Sequence, residues 1–455
     1  MKATTKYANK KILVLGLARS GVAAAKLLHQ LGAFVTVNDG KHIDENPEAQ
    51  ELLEMGMHVV TGGHPIDLLD EGFSLIVKNP GIPYTNPILE HAIKRNIPIL
   101  TEVEVAYQAT EAEFIGITGT NGKTTTTTMI YHLLNASSSN REAKLAGNIG
   151  YPTSDVVLTA EKDDILVTEL SSFQLMGIDE FRPKIALITN LFEAHLDYHG
   201  SRSEYVKAKW ALQKNMTSDD FLILNGNQVE LRELAKTTKA TVLFFATETT
   251  EEVDAYLLDG ALYFRNEYIM AASDLGVPGS HNIENALAAI SVAKLTGISN
   301  DVIKESLSRF SGVPHRTEFI GEFSGRKIYN DSKATNILAT EKALSGFNNE
   351  ELVLIAGGLD RGNGFEELVP FIHNLKGLVA LGETADKLVE AAKEANVTHI
   401  IKTENMKQAV EKAWEISAEN DAILLSPACA SWDQYKNFEL RGDDFIKEIK
   451  QIVSR

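Results

Sequence analysis

Residues 113–130 read EFIGITGTNGKTTTTTMI. An apolar, β-rich run ends near Thr118, two glycines bracket Thr120 and Asn121, and Lys123 leads through a run of threonines into a helical pattern. Strand, tight turn and helix together aim backbone N–H groups and the positive end of a helix dipole at an anion. The usual phosphate-loop fingerprint asks for a glycine five residues ahead of the one preceding the lysine, and that slot holds Ile117. The physical requirements are met all the same. Gly119 and Gly122 let the backbone turn, Lys123 is placed to neutralise phosphate charge, and the Thr124 hydroxyl to reach magnesium. A glycine turn without a ligand is the plain alternative, and the flanking strand and helix weigh against it. The stretch predicts a nucleoside triphosphate site and by itself names no reaction.

On either side, short β-rich runs alternate with helical patterns. KILVLGL, AFVTVND and SLIVKNP come before it, DILVTEL, KIALITN and FLILNG follow it, and LVLIAGG, GLVALG and AILLSPA come late. Such alternation predicts parallel sheets with crossover helices, an α/β protein. The 455 residues exceed one ordinary hydrophobic core. The pattern restarts near 102–112 (EVEVAYQATEA) and near 311–316 (SGVPHR), which gives expected domains over 1–101, 102–312 and 313–455. Within the middle one, AYLLDGALYFRNEYIMAA has Asp259-Gly260 and Arg265-Asn266 at hairpin-turn positions between alternating strands, a small antiparallel insertion.

With 44 Lys+Arg against 62 Asp+Glu the formal charge is -18, so there is no basic excess to displace counterions from a nucleic acid backbone. Small phosphates remain compatible, because a few amides and one lysine bind them locally. The single cysteine, Cys429, excludes an intrachain disulfide and points to a reducing cytosol. The start, MKATTKYANKKILVLGLARSG, imitates a signal peptide, but its apolar run is short and meets Arg19, so a first strand is expected there. No apolar stretch is long enough to span a bilayer. A monomer without membrane insertion is expected.

Nine blocks, TGTNGKTT, AGNIGYP, TELSSFQL, NLFEAHLDYHG, YVKAKW, SHNIENALAA, PHRTE, NDSKATN and LLSPACASWDQYKNFELRG, together resemble the Mur ligases of peptidoglycan synthesis, in that family's order and over essentially the whole chain. The compact Gly-Thr-Asn-Gly-Lys-Thr form is that family's variant of the loop, which accounts for its spacing. The resemblance implies an N-terminal Rossmann-like domain for a UDP moiety, a central P-loop ATPase-type domain, and a C-terminal Rossmann-like domain that closes on ATP. It implies that D-glutamate is joined to the L-alanyl carboxylate of UDP-N-acetylmuramoyl-L-alanine. ATP first converts that unreactive carboxylate into an acyl phosphate, and the amino group of D-glutamate then displaces phosphate.

By the same resemblance, Gly119, Thr120, Asn121, Gly122, Lys123, Thr124 and Thr125 cradle ATP phosphates, and Asn282 and Asn285 lie on its adenine side. Helix capping is the competing account of Asn282. Arg316 reaches the phosphates and Asp331 the ribose. Glu169 ends the strand DILVTEL, where a parallel sheet presents ligand groups, and resembles a magnesium ligand together with Thr124. His195 resembles a ligand of a second magnesium, although a lone histidine is more often structural. Lys209 reads as an ordinary helix lysine, and the family carbamylates the matching residue with carbon dioxide, which turns a cation into an oxygen donor that suits magnesium. Asn148 resembles a muramoyl contact, against a turn asparagine tolerating positive φ. Thr335, Arg361, Ser431 and Phe438 resemble the D-glutamate contacts. Arg361 stands where the family often has lysine, which keeps the charge and changes the donor geometry.

In the first domain GLARSG offers Gly16 and Gly21 but Ala18 between them, a weak dinucleotide fingerprint, with Asp39 ending the second strand. Taken alone this reads as an NAD site. The resemblance instead gives Arg19, Ser20, Asp39, Lys41 and Asn79 to the uridine diphosphate. Rival readings are a relative that adds another amino acid, a folylpolyglutamate synthetase, a nucleotide-gated binding protein that has lost its chemistry, and an NAD oxidoreductase. NDSKATN and SPACASWDQYKNF argue against the first two, and the presence of Lys123, Glu169, His195 and Lys209 against the third.

Overall fold

The structure, a computed structural model, describes residues 4–137, 141–248 and 252–454. Among the described residues three sheets account for the strands. The first has five strands, all parallel, in the order His58–Thr61, Phe34–Asp39, Lys11–Leu15, Leu75–Lys78, Ile99–Thr101. Chain order reverses beside the central Lys11–Leu15, and in such sheets ligands bind beyond the carboxyl ends of the strands at that point. The helix Arg19–Gln30 begins there, with no side-chain cap and no acid in its first turn.

The second sheet has nine strands. Glu113–Thr118, the strand that feeds the glycine loop, lies between Ile165–Glu169 and Ile185–Ile188 and is parallel to both. Every residue of Ile165–Glu169 and Ile185–Ile188 is buried, as expected of parallel strands covered on both faces. At the far edge, Ala255–Leu258, Ala261–Phe264 and Glu267–Ala271 pair antiparallel. Positive φ at Asp259 and Gly260, and at Arg265 and Asn266, makes both connections two-residue turns whose twist matches the strands. The expected insertion is thus present.

The first two sheets share one hydrophobic core, to which the first contributes Ile12, Val14 and Val37 and the second Leu166, Ala186 and Leu222. The boundary stretch at 102–112 includes the helix Glu102–Ala109, in which every residue but Tyr107 is buried. Its acids survive burial because Glu104 accepts from the backbone amides of Asp179, Glu180 and Phe181, and Glu102 from that of Ser154. A sequence pattern that restarts here is packed as continuously as the sheets it joins.

Backbone contacts group the chain into two compact units, Met1–Ala272 with Glu284–Ser306, and Ser273–Ile283 with Leu307–Arg455. The second unit carries the third sheet, ordered Glu318–Phe323, Arg326–Asn330, Ala422–Leu425, Leu352–Gly357, Gly377–Leu381, His399–Lys402. Only its first pair is antiparallel. Cys429 is free and buried.

Candidate functional site

The loop between Glu113–Thr118 and the helix Lys123–Ala136 is shaped by two glycines. Gly119 has φ +143° and Gly122 φ +81°, and a Cβ at either would overlap a neighbour, Thr189 Oγ1 in the first case and Asn285 Oδ1 in the second. The strand Ile185–Ile188 and the residues after it hold the loop from beneath. Asn190 accepts from the Thr120 amide through its carbonyl (2.9 Å) and from the Asn121 amide through Oδ1 (2.8 Å). The helix then starts at Lys123 with no side-chain cap and no acid in its first turn, so its own first turn leaves the positive helix end open to an anion. Lys123 Nζ folds back to donate to the carbonyls of Gly119 and Thr120, at 2.9 Å each. Thr124 and Thr125 sit half-buried in that first turn. Asn285, buried on the helix Ser280–Leu295, accepts from Thr126 Oγ1 at 3.1 Å and lies against Gly122.

Glu169 ends the adjacent strand, paired in register with Ile117. Its Oε1 accepts from Asn148 Nδ2 at 2.7 Å, while Oε2 is buried without a hydrogen-bond partner. An open carboxylate oxygen in a dry site costs free energy unless a ligand completes it. Lys209, only 2 % exposed, donates to Gly119 O at 2.7 Å and lies 4.8 Å above the Tyr205 ring. Burial first, and the Lys123 charge second, hold its amine well below the usual lysine range, against the pull of Glu169. His195 takes a left-handed φ of 54°, and burial, then Lys209, lowers its pKa. Lys123 thus biases the site towards anions. Among the described residues no three His, Cys, Asp or Glu side chains converge as a ready-made metal cage. The oxygen donors present, Glu169 Oε2 and the Thr124 hydroxyl, suit magnesium, which keeps waters and substrate phosphates in its shell.

A cavity of about 380 Å³ opens beside this centre in the same unit. Arg19, Ser20 and Asn79 line it from the first sheet and Asn148 from the second, so the structure brings these four sequence candidates together. Asn79 donates to Ser20 Oγ at 3.1 Å. Asn148 lies in a turn, but positive φ falls on Gly147 and Gly150 and not on Asn148, so tolerance of positive φ does not explain that asparagine. Asp39 and Lys41 do not line the cavity. Asp39 instead accepts from the amides of Leu17 and Lys41, fixing the turn ahead of the helix Arg19–Gln30. Sequence reasoning missed Glu102, Ser171, Phe173 and Gln174, which also line it. The block TELSSFQL was the available signal for three of them.

In the second unit, Asp331 is 5 % exposed, with Oδ1 accepting from the Thr317 amide (3.0 Å) and Oδ2 from Ser426 Oγ (2.7 Å). Burial raises its pKa to about 6, against those hydrogen bonds and the Arg316 charge. Arg316 Nε is a buried donor without an acceptor. Arg361 is exposed, with its guanidinium 5.2 Å from the Trp432 ring. Ser431 is buried beside Trp432, Thr335 is half-buried, and Phe438 opens the helix Phe438–Val453 with its carbonyl accepting from Ser332 Oγ at 2.8 Å. Asn282 Nδ2 donates to Pro278 O at 2.6 Å, a local tie ahead of its helix. Arg441 went unnoticed in the sequence. It is 2 % exposed and ties Ser332 to the Cys429 carbonyl through its guanidinium.

A phosphate-cradling loop, a buried open carboxylate and a neighbouring cavity, all on the two parallel-dominated sheets of the first unit, fit a nucleotide-dependent ligase class, and comparison with known proteins agrees. Residues 10–101 match the Mur ligase MurD-like N-terminal domain, 117–293 the Mur ligase middle domain, and 315–429 the Mur ligase glutamate ligase domain. The chain belongs to the Mur ligase family, among its MurD-like members. A relative from Enterococcus faecalis, named UDP-N-acetylmuramoylalanine--D-glutamate ligase, is 66% identical over 99% of both chains. One of the same name from Enterococcus hirae is 62% identical over 98% of this chain and 96% of its own. Among solved structures, the UDP-N-acetylmuramate-alanine ligase MurC from Thermotoga maritima matches with TM-score 0.59 at 20% identity, covering 98% of this chain and 100% of that one. The MurF ligase from Thermotoga maritima, solved with ADP, matches with TM-score 0.56 at 16% identity over 99% and 98%. These two likenesses speak to the fold.

Proposed function

We infer that the chain is an ATP-dependent ligase that adds D-glutamate to UDP-N-acetylmuramoyl-L-alanine, a step in building the peptidoglycan precursor. The observation that carries the chemistry is Glu169 Oε2, buried and unpartnered one strand away from a loop built for phosphates. In this reading the amides of 119–125 and Lys123 hold the triphosphate, Asn285 and Asn282 flank the adenine, and Arg316 and Asp331 contact phosphate and ribose. Arg316 Nε, a buried donor in want of an acceptor, supports that role. Arg19, Ser20, Asn79 and Asn148 receive the UDP-linked substrate in the cavity they line, with Asp39 and Lys41 at the uridine diphosphate end. Thr335, Arg361, Ser431 and Phe438 bind D-glutamate.

The L-alanyl carboxylate attacks the γ-phosphorus, ADP leaves, and an acyl phosphate forms. The neutral amine of D-glutamate then adds to the acyl carbon, and phosphate departs as the amide forms and the amine loses its proton. Lys123 counters the charge that builds on the transferring phosphoryl oxygens. Glu169, Thr124, His195 and Lys209 are the residues that would hold magnesium at two sites, and the ion supplies charge neutralisation for the phosphates. Lys209 supports its part by being a buried amine that burial shifts towards its neutral form, because only a neutral amine adds carbon dioxide to become a carbamate. A monomer in the cytoplasm, where ATP and the nucleotide substrate are found, fits this reading, and no described helix is long and apolar enough to cross a membrane.

Phosphate release measured with UDP-N-acetylmuramoyl-L-alanine, ATP and D-glutamate, beside L-glutamate and L-alanine, tests it. Release is expected with D-glutamate alone, and equal release with another amino acid would overturn the assignment.

A further inference from the structure

Lys78 ends the strand Leu75–Lys78, 1 % exposed, and no carboxylate is among its partners in the described residues. Its ammonium instead donates to three neutral oxygens, the carbonyls of Asn79 (3.3 Å) and Pro80 (3.1 Å) and the Tyr198 hydroxyl (3.3 Å), and lies 5.0 Å over the Tyr84 ring. Tyr198 comes from the second sheet's side of the same unit, 120 residues away. Its hydroxyl reaches back to Pro80 O (3.1 Å) and Ile82 O (3.0 Å), and its ring packs on Phe173 at 4.4 Å between centroids. Asn79, Pro80 and Gly81 form one wall of the substrate cavity and Phe173 part of another. The lysine and tyrosine therefore pin one wall of that cavity to the segment that carries His195.

A cation buried among neutral groups is an expensive way to hold two segments together, since desolvation costs several kcal/mol that dipoles only partly offset. That cost is visible in the amine, which burial pulls down to about 8. A methionine would fill similar space at less cost, so stability alone does not explain a lysine here. Geometry does: an ammonium gathers two consecutive carbonyls and a hydroxyl at one point, which fixes the turn Asn79–Ile82 in a way no apolar side chain can.

We propose that Lys78 and Tyr198 are positioning residues for the UDP-linked substrate, holding the Asn79–Ile82 wall of its cavity at a set distance from the phosphoryl-transfer centre. The inference rests on the substrate assignment above. A long substrate anchored at one end in the first sheet delivers its carboxylate to the γ-phosphate only if those two sites keep their separation.

Steady-state kinetics and calorimetric binding of UDP-N-acetylmuramoyl-L-alanine to wild type, Lys78→Met, Tyr198→Phe and the double variant test the pair. Each single variant should raise both the KM and the Kd for that substrate by about tenfold, the loss expected when a hydrogen-bonded anchor goes. KM for ATP and for D-glutamate should stay within about twofold, and the double variant should lose less than the product of the single losses. The melting temperature of Lys78→Met should hold or rise. Single variants that bind the UDP-linked substrate as wild type does would overturn the proposal, as would a uniform loss for all three substrates accompanied by a fall in melting temperature. Failure of wild type itself to bind this substrate would instead refute the assigned reaction.

Discussion

Asp331→Asn should separate what the fold prefers from what the nucleotide needs. The carboxyl is 5 % exposed, and burial lifts its pKa from 3.8 to about 6. Below 3.8 it is protonated in both the folded and the unfolded chain, and contributes nothing to their difference. Between 3.8 and about 6 the folded state binds more protons than the unfolded one, so stability falls as pH rises. Above about 6 the full cost is present, on the order of 3 kcal/mol for a gap of this size. Asparagine keeps Oδ1 for the Thr317 amide, and the Ser426 hydroxyl, which also donates to Thr340 Oγ1 at 2.9 Å, can accept from the new amide. The variant should therefore stabilise the C-terminal unit by up to ~3 kcal/mol at pH 8, with the gain shrinking through pH 6 and gone below pH 4. In a Trp210→Phe background the two remaining tryptophans, Trp414 and Trp432, both report on that unit. Urea unfolding followed by their fluorescence at pH 8, 6 and 4 gives the comparison. If Asp331 contacts the ribose, KM for ATP should rise in the same variant. A variant less stable than wild type at pH 8, or a gain that does not change with pH, would refute the reasoning.

Gly122→Ala should raise the ATP KM by at least tenfold. Its φ of +81° costs an alanine about 1–2 kcal/mol, and the added methyl would displace Asn285 Oδ1 from Thr126, so calorimetric titration with ATP should show the loss while binding of the UDP-linked substrate is kept. Lys209→Ala should lose at least ~10²-fold in kcat, by analogy with removal of one charge-stabilising group, and added short-chain carboxylic acids should restore part of it by supplying the missing oxygen donor. Full activity in the unsupplemented variant would end the carbamate reading.

The loop at 119–125 was legible because all it needs is local. A strand end, two glycines and a helix start lie within a dozen residues, and the same short-range geometry supplies the amides and the lysine. The hairpin turns at Asp259-Gly260 and Arg265-Asn266 were readable for the same reason. Strands buried on both faces, such as Ile165–Glu169 and Leu352–Gly357, announce themselves as apolar runs. Edge strands such as His58–Thr61 and His399–Lys402 contain no buried residue and left no run to read.

Family membership and the chemistry of the phosphate loop follow from the sequence by itself, because both are carried by short blocks whose residues act on their near neighbours. Tertiary structure alone decided that Asn148 and Glu169 share a hydrogen bond, that Lys209 is a buried amine resting on the loop's carbonyl, and that Lys78 meets Tyr198 across 120 residues. Burial and charge balance arise from groups that chain order scatters. They acquire their pKa values and their unmet hydrogen bonds only when the sheets bring them into one dry place.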